Sequence, residues 1–291
     1  MSDGTAIDLV VPTVGRTVEV ERFLGSVVAQ NRQGQARVVL VDQNPDDRLG
    51  PIVEQFQDRV AVSHLRSEPG VSRACNVGFA VCTAPVIGRA DDDCWYPPDT
   101  LARVVGAFEE HAEWDALCGI TCDESGRPTQ LRWDSAGGIV NRGNVFRRAI
   151  GSTLFLRSSL VIPLGQWDEA YGPRPHPDGT IRGGSEDGDY ILRILEGGFT
   201  LGYDPSIRIF HAEFTPSVHD RKSMRKAYDY GLDHSRLLKD HGFPRWYPAW
   251  RSAQLIAGAG IFLVRGEPGR ARFYAAMARG RLIGMFRKQL P

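Results

Sequence analysis

The stretch IDLVVPTVGRTVEVERFLGSVVAQNRQGQARVVLVDQ, Ile7 to Gln43, decides the fold. It begins and ends in strand-like aliphatic runs, Ile7–Val11 and Arg37–Val41. Between them Val20, Phe23, Leu24, Val27 and Val28 recur at i, i+3, i+4, i+7 and i+8, the apolar stripe of a helix lying on a sheet. Strand, helix, strand in this order is a βαβ unit. Pro12, which has no amide hydrogen, is expected to end the first strand.

Working outward, Val60–Leu65 reads as a third strand, Val71–Val81 as a second helical pattern, and PVIGRA as a strand running straight into Asp91, Asp92 and Asp93. Pro97 and Pro98 suit the first turn of a helix whose apolar face is Leu101, Val104, Val105 and Phe108. This half closes near Thr121. From Cys122 to Gly184 the chain is rich in glycine, proline, arginine and polar residues, with the strand-like GSTLFLRSSLVI in its middle. A helix is expected from Glu186 or Asp187, turning Ile191, Ile194 and Leu195 inward and stopping at Gly197 and Gly198. Short strands at Phe199–Tyr203 and Ser206–Phe210 deliver His211, and a polar helix over Asp220–Asp240 precedes a basic tail. No repeat or low-complexity segment interrupts the pattern.

With 291 residues, 42% of them hydrophobic and 24% charged, the chain can bury a full core, so disorder and fibrous classes are excluded. Its 35 basic and 35 acidic residues cancel, removing a whole-chain electrostatic case for binding nucleic acid. The distribution is uneven: from Arg265 onward, Arg265, Arg270, Arg272, Arg279, Arg281, Arg287 and Lys288 face the single acid Glu267. The five cysteines are an odd number without CxxC spacing, which argues against a disulfide framework or a structural zinc site and suits a reducing cytoplasm. Asp3 and Asp8 stand where a signal peptide would carry basic residues. The apolar run Ala253–Val264 is shorter than the roughly 20 residues of a membrane-spanning helix.

The acidic triplet carries the first chemical signal. If the strand persists through it, Asp91 and Asp93 share a face and Asp92 points the other way. Such a pair can hold one divalent cation, and oxygen ligands favour Mg²⁺ or Mn²⁺. The triplet sits at a strand's carboxyl end, where open α/β sheets collect ligands. A solvated acidic turn ahead of the next helix is the alternative. In GGSEDGDYILR, Glu186 and Asp187 open a helix where backbone amides favour negative charge, and Asp189 could form a surface pair with Arg193. Gly183 and Gly184 would let the backbone approach a ligand or move as a lid, so a carboxylate there could act as a general base. His211, at the end of a strand, gains weight only in that company.

In their order, VVPTVGR, VDQNPDD, GVSRACNVGF, ADDDCWYPPDTL, WDEAYG, GGSEDGDYILR and FH resemble the pattern of glycosyltransferase family 2, over roughly Ile7 to His211. The resemblance implies an α/β fold of GT-A type, a nucleotide-binding Rossmann-like sheet flanked by helices, here with a helical C-terminal extension. It implies a glycosyltransferase domain over 1–215, with a nucleotide-sugar half to about residue 121 and an acceptor half over 122–215, and the basic helical extension over 216–291. By the same resemblance Asp91 falls on the donor sugar or ribose, with Asp92 among the donor-binding residues, and Asp93, with Asp91, on a Mn²⁺ or Mg²⁺ ion, with His211 near the metal or diphosphate. Asp187 of the Glu186–Asp187 pair is the expected base. Pro12, Thr13, Asp42, Gln43 and Arg73 fall where the nucleotide is held, and Asn76 braces that loop.

One departure stands out: Gln43 follows Asp42 where the family usually has a second acid. An amide both donates and accepts, so base specificity does not carry over directly; UDP or dTDP is favoured. Trp95, Trp133 and Trp167, together with Asp189, could face the acceptor, although aromatics at this frequency also build cores. The implied reaction is an inverting transfer to a glycan or lipid-linked acceptor, most readily in surface polysaccharide biosynthesis. The basic tail would suit an anionic membrane, at the inner face of the cytoplasmic membrane, or an oligomer contact. Two rival readings are a metal-dependent nucleotidyltransferase, disfavoured because no GxxxxGK[ST] loop is present, and a non-catalytic binding domain of the same fold.

Overall fold

The computed structural model describes residues 6–30, 35–175, 181–212, 216 and 220–286. Asp3, Arg287, Lys288 and the expected domain boundary at residue 215 lie outside them. In chain order the elements are β1 (Ile7–Thr13), α1 (Val18–Gln30), β2 (Ala36–Asp42), α2 (Gly50–Phe56), β3 (Ala61–Arg66), α3 (Val71–Phe79), β4 (Val86–Arg89) and β5 (Cys94–Trp95). There follow α4 (Thr100–Glu110), β6 (Ala116–Cys122), β7 (Gly138–Ile139), α5 (Val145–Arg148), β8 (Leu154–Arg157), α6 (Val161–Leu164), β9 (Arg174–Pro175) and β10 (Ile181–Arg182). The chain then runs through α7 (Glu186–Glu196), β11 (Leu201–His211), α8 (Arg221–Asp240), α9 (Trp246–Val264) and α10 (Pro268–Phe286).

The chain packs as two units. One takes in the chain through Trp167 and the stretch Tyr190–Glu213; the other is Asp168–Asp189 with everything from Phe214 on. The segment Asp168–Asp189, expected in the first domain, groups by its contacts with the C-terminal helices. The reason is local: the Tyr171 hydroxyl donates to Asp240 Oδ2 of α8 at 2.5 Å, and the Arg236 guanidinium of α8 donates to Ala170 O at 3.1 Å.

The first unit carries a nine-stranded mixed sheet, ordered β3-β2-β1-β4-β8-β6-β11-β5, with β7 on β11. Strands β3, β2, β1 and β4 run parallel, and β8 enters antiparallel between β4 and β6. Val20, Phe23, Leu24 and Val27 of α1 are buried, as are Leu101, Val104 and Phe108 of α4, so both predicted helical stripes form the core. Asp8 of β1 is buried, and burial works against its ionisation; the Arg37 side chain and the amides of Thr83 and Ala84 outweigh it and lower the carboxyl's pKa.

Four expectations change. Helix α4 begins at Thr100, so Pro97 and Pro98 precede it and do not form its first turn. Pro12 does not end β1, which runs on to Thr13. The Val10 carbonyl accepts from Ala90 and the Thr13 carbonyl from Gln43, so the amide Pro12 lacks would point toward β4, which has already ended at Arg89. The two strands expected before His211 are one, β11, whose register against β6 slips between Tyr203 and Arg208 around Pro205. In α7, Tyr190, Ile191, Leu192 and Ile194 are fully buried, whereas Leu195 is only partly so. The helix stops as expected, with the Phe199 amide reaching back to Ile194 O at 3.1 Å.

The second unit comprises α8, α9, α10, the two-stranded β9–β10 ribbon and the opening of α7. The Asp220 carboxylate caps α8 by accepting from the Ser223 amide at 3.0 Å. Ser235 of α8 donates to Arg281 O of α10 at 2.6 Å.

Candidate active site

Strands β1 and β4 are parallel neighbours, so the segments leaving their carboxyl ends begin side by side. From β1 come Thr13 and Arg16; from β4 comes the acidic triplet. Thr13 Oγ1 donates to Asp92 Oδ2 at 2.7 Å. The Arg16 guanidinium pairs with Asp92 and, at 2.8 Å, with Asp93. Burial pushes the Asp92 carboxyl up to about 6, with Arg16 opposing. The strand does not persist through the triplet: β4 ends at Arg89 and Asp91–Asp93 turn into β5. Face alternation therefore does not apply, and Asp92 and Asp93 share Arg16 while Asp91 pairs with Arg89.

The second half of the cluster comes from the far edge of the sheet. β5 pairs antiparallel with the end of β11, placing Cys94 directly opposite His211. Directly opposed residues of an antiparallel pair project from one face, so thiol and imidazole stand together. His211 Nε2 lies 3.8 Å from Asp93 Oδ1, and one ligand atom from each of Asp93, Cys94 and His211 falls within 4.8 Å of the others. The donor chemistry fits a divalent cation. His211 Nδ1 is buried with no hydrogen-bond partner among the described residues, the condition of an atom that a missing group would satisfy. Burial holds the Cys94 thiol well above its usual pKa, so carboxylate and imidazole are the ionic and nitrogen ligands on offer.

The residues expected on the nucleotide are arranged otherwise. The Asp42 side chain is 0% exposed, accepting from the Asn44 amide and Nδ2, from His64 at 3.0 Å and from Arg66. It braces the end of β2 and offers no surface to a ligand. Gln43 explains the departure from a second acid: its Nε2 donates to Thr13 O at 3.3 Å while its Oε1 accepts from the Gly70 amide at 2.7 Å. An amide can bridge β1 to the start of α3 in this way; a carboxylate cannot donate. Gln43→Glu is expected to cost about 2 to 3 kcal/mol by urea unfolding at neutral pH, since it buries a charge against a carbonyl. A carboxyl with a raised native pKa loses stability as pH rises, so the deficit should shrink near pH 4, about where glutamate protonates and can donate again.

Asn76 is likewise structural: its Nδ2 donates to Trp167 O at 3.0 Å and its Oδ1 accepts from the Trp167 amide at 2.8 Å. That is the bracing expected of it, not a donor contact. Arg73 is exposed on the first turn of α3, and Pro12 is buried in β1.

At the start of α7, Glu186 and Asp189 are buried and Asp187 is half-buried, with its Oδ1 accepting from the Gly188 amide at 2.7 Å. Asp189 is no surface residue: His241 Nε2 lies 3.0 Å from its Oδ1, both side chains being under 8% exposed, which withdraws it from the acceptor set. Arg193 instead donates to Leu164 O and Gln166 O. Gly183 and Gly184 have positive φ, 101° and 143°, and a Cβ would fall 2.2 Å from Gly172 O or 2.3 Å from the Tyr230 ring. Close packing within the protein therefore accounts for both glycines, without a lid.

Of the tryptophans, Trp167 is 2% exposed and stacked on Tyr190 at 4.0 Å, so it is core and cannot meet an acceptor. Trp95 has the Arg22 guanidinium 3.6 Å over its ring, and Trp133 lies parallel to Tyr203 at 6.3 Å; both are half-buried.

Sequence reasoning missed Arg16, Arg89 and Cys94. Their signal was positional: once β1 and β4 are taken as neighbours, an arginine a few residues past β1 must meet the acids past β4.

Comparison with known proteins bears on the family and the fold. The profile of the family described as Glycosyl transferase family 2 matches residues 8–158. The PGL/p-HBAD biosynthesis glycosyltransferases of Mycobacterium tuberculosis and Mycobacterium bovis are 28% identical over 170 residues, 56% of this chain. The match spans 63% of the length of those relatives. Among solved structures, the Pyrobaculum calidifontis mannosyltransferase PcManGT, in complex with GDP-Man and Mn²⁺, aligns with TM-score 0.64 at 16% identity, covering 97% of this chain and 88% of that one. S. aureus TarS 1-349 aligns with TM-score 0.59 at 14% identity, covering 97% and 89%. These likenesses show the GT-A fold.

Proposed function

The chain belongs to glycosyl transferase family 2, and from that membership we propose an inverting, divalent-metal-dependent transfer of sugar from a nucleotide-sugar to a hydroxyl of a glycan or lipid-linked acceptor. The observation that carries this reading is the Asp93–His211 cluster beside Cys94, at the strand end where the triplet was expected to act. Asp93 and His211 are the assigned ligands of Mn²⁺ or Mg²⁺, and Asp91 is assigned to the donor sugar or ribose. A bound divalent cation supplies positive charge to the departing diphosphate.

The step is a single in-line displacement. The Asp187 carboxylate takes the acceptor hydroxyl proton, the acceptor oxygen bonds to the anomeric carbon, and the bond to the diphosphate oxygen breaks with its electron pair leaving on the nucleotide. Asp187 is favoured over Glu186 because it is the more accessible of the two. Arg73, exposed on the first turn of α3, is assigned to the nucleotide as the resemblance implied.

UDP- and dTDP-sugars remain the favoured donors, in cytoplasmic synthesis of a surface polysaccharide or lipid-linked glycan; the mycobacterial relatives are named for PGL/p-HBAD biosynthesis. Thermal unfolding against UDP-, dTDP- and GDP-sugars, each with and without Mn²⁺, tests the donor site, because a ligand of the folded state raises its stability. GDP belongs in the panel because PcManGT was solved with GDP-Man. A metal-dependent rise with one nucleotide family is expected; no rise with any would overturn the donor site.

A further inference from the structure

Helix α9 keeps Tyr247, Leu255 and Phe262 half-buried, with Phe262 against Tyr274 of α10, and turns a second apolar face outward. The residues it buries are Pro248, Ser252, Gly258 and Ala259. Those it turns to solvent include Trp246, 63% exposed, Trp250, Ile256, Ile261, Leu263 and Val264, 91% exposed. Trp246, Trp250, Ala253, Ala257, Ile261 and Val264 follow one another at helical spacing along a single stripe, and no exposed residue of the helix is charged. A surface helix ordinarily buries its large apolar residues and exposes its polar ones. Here the inward residues are small enough for α10 to come close: a Cβ on Gly258 would lie 3.0 Å from the Tyr274 ring. What remains outside is an apolar ridge about 28 Å long at 1.5 Å per residue. Contiguous exposed apolar surface of this kind marks an interaction face.

Charge selects the partner. Exposed Arg245 and Arg265 flank the two ends of α9, and Arg279 is exposed on α10 ahead of exposed Leu282, Ile283 and Phe286. Residues 220–286 carry thirteen arginines and lysines against five acids. A second copy of this face would set arginines against arginines. An anionic bilayer meets both demands, taking the apolar stripe into its interfacial region and the guanidinium groups onto its headgroups, with tryptophans at the depth they prefer. Among the described residues no helix is long and apolar enough to cross a membrane.

We propose that α9 seats this protein on anionic membrane surfaces through the Trp246–Trp250–Ile261–Val264 stripe, fastened by the flanking arginines. The inference stands apart from sugar transfer and would survive the loss of the donor site.

The test uses the full chain with vesicles of phosphatidylcholine alone or mixed with phosphatidylglycerol, followed by flotation and tryptophan emission. The protein is expected to float with the anionic vesicles only, with emission moving to the blue and binding weakened by added salt. Trp250→Glu with Ile261→Glu, at exposed positions, should retain the melting temperature and lose binding by about tenfold or more. Ala257→Glu, in the middle of the stripe, repeats the test should the double variant melt early. Wild-type protein left unbound by anionic vesicles, or folded stripe variants that float as well as wild type, would overturn the proposal. So would a wild-type dimer that the stripe variants dissociate without any vesicle binding.

Discussion

Asp93→Asn is expected to lower kcat by on the order of a thousandfold, the loss seen when one fixed electrostatic partner of a developing charge is removed. Asparagine keeps the side chain's size and can still face Arg16, so the melting temperature should move little. The charge next to His211, however, is gone. The distinguishing readout is metal dependence: in wild type Mn²⁺ should deepen the stabilisation by donor, and in Asp93→Asn that increment should vanish. Turnover near wild type, or an unchanged Mn²⁺ increment, would refute the assignment. Asp91→Asn serves as the comparison, because Asp91 pairs with Arg89 and should change donor KM more than metal dependence.

Asp187→Asn should lower kcat by roughly a hundred- to ten-thousandfold, the range supplied by a positioned general base, while leaving the dissociation constant for the nucleotide-sugar near its wild-type value. The variant removes a negative charge from the first turn of α7, which should cost about 0.3 to 1 kcal/mol through the helix dipole, too little to unfold the protein. A parallel loss of donor binding would assign Asp187 to the donor instead, and a full kcat would end its role. The split between binding and turnover separates this result from that of Asp93→Asn, which should lose both metal response and rate.

Much of this protein is legible in its sequence because the signals are local. The α1 stripe of Val20, Phe23, Leu24 and Val27 is a statement about helical periodicity, and the structure buries those residues. The Gly197–Gly198 stop works through backbone bonds within a few residues, and it appears where expected. Strand ends and acidic clusters are also local, so the triplet and His211 could be singled out before any contact was known.

The roles of individual side chains were less accessible, because each depends on partners far along the chain. Asp42 looks like a ligand-facing acid until His64 and Arg66 on the neighbouring strand close over it. Trp167 and Trp95 are indistinguishable as letters, yet one lies under Tyr190 and Phe79 and the other at the edge of the sheet. The α9 stripe shows the same limit from the other side. Periodicity finds an apolar face and cannot say whether that face is turned in or out; the small residues Gly258 and Ala259 win the buried side because they let α10 approach closely.

Spacing along the chain was enough to read the opening βαβ unit, the helices α1, α4 and α7, the family and the cluster of acids. Which acids Arg16 neutralises, which expected ligands are closed off by their neighbours and which apolar face stays in water were settled by tertiary structure. Those outcomes follow from which strand lies beside which, and strand pairing joins residues whose separation in sequence carries no periodic signal.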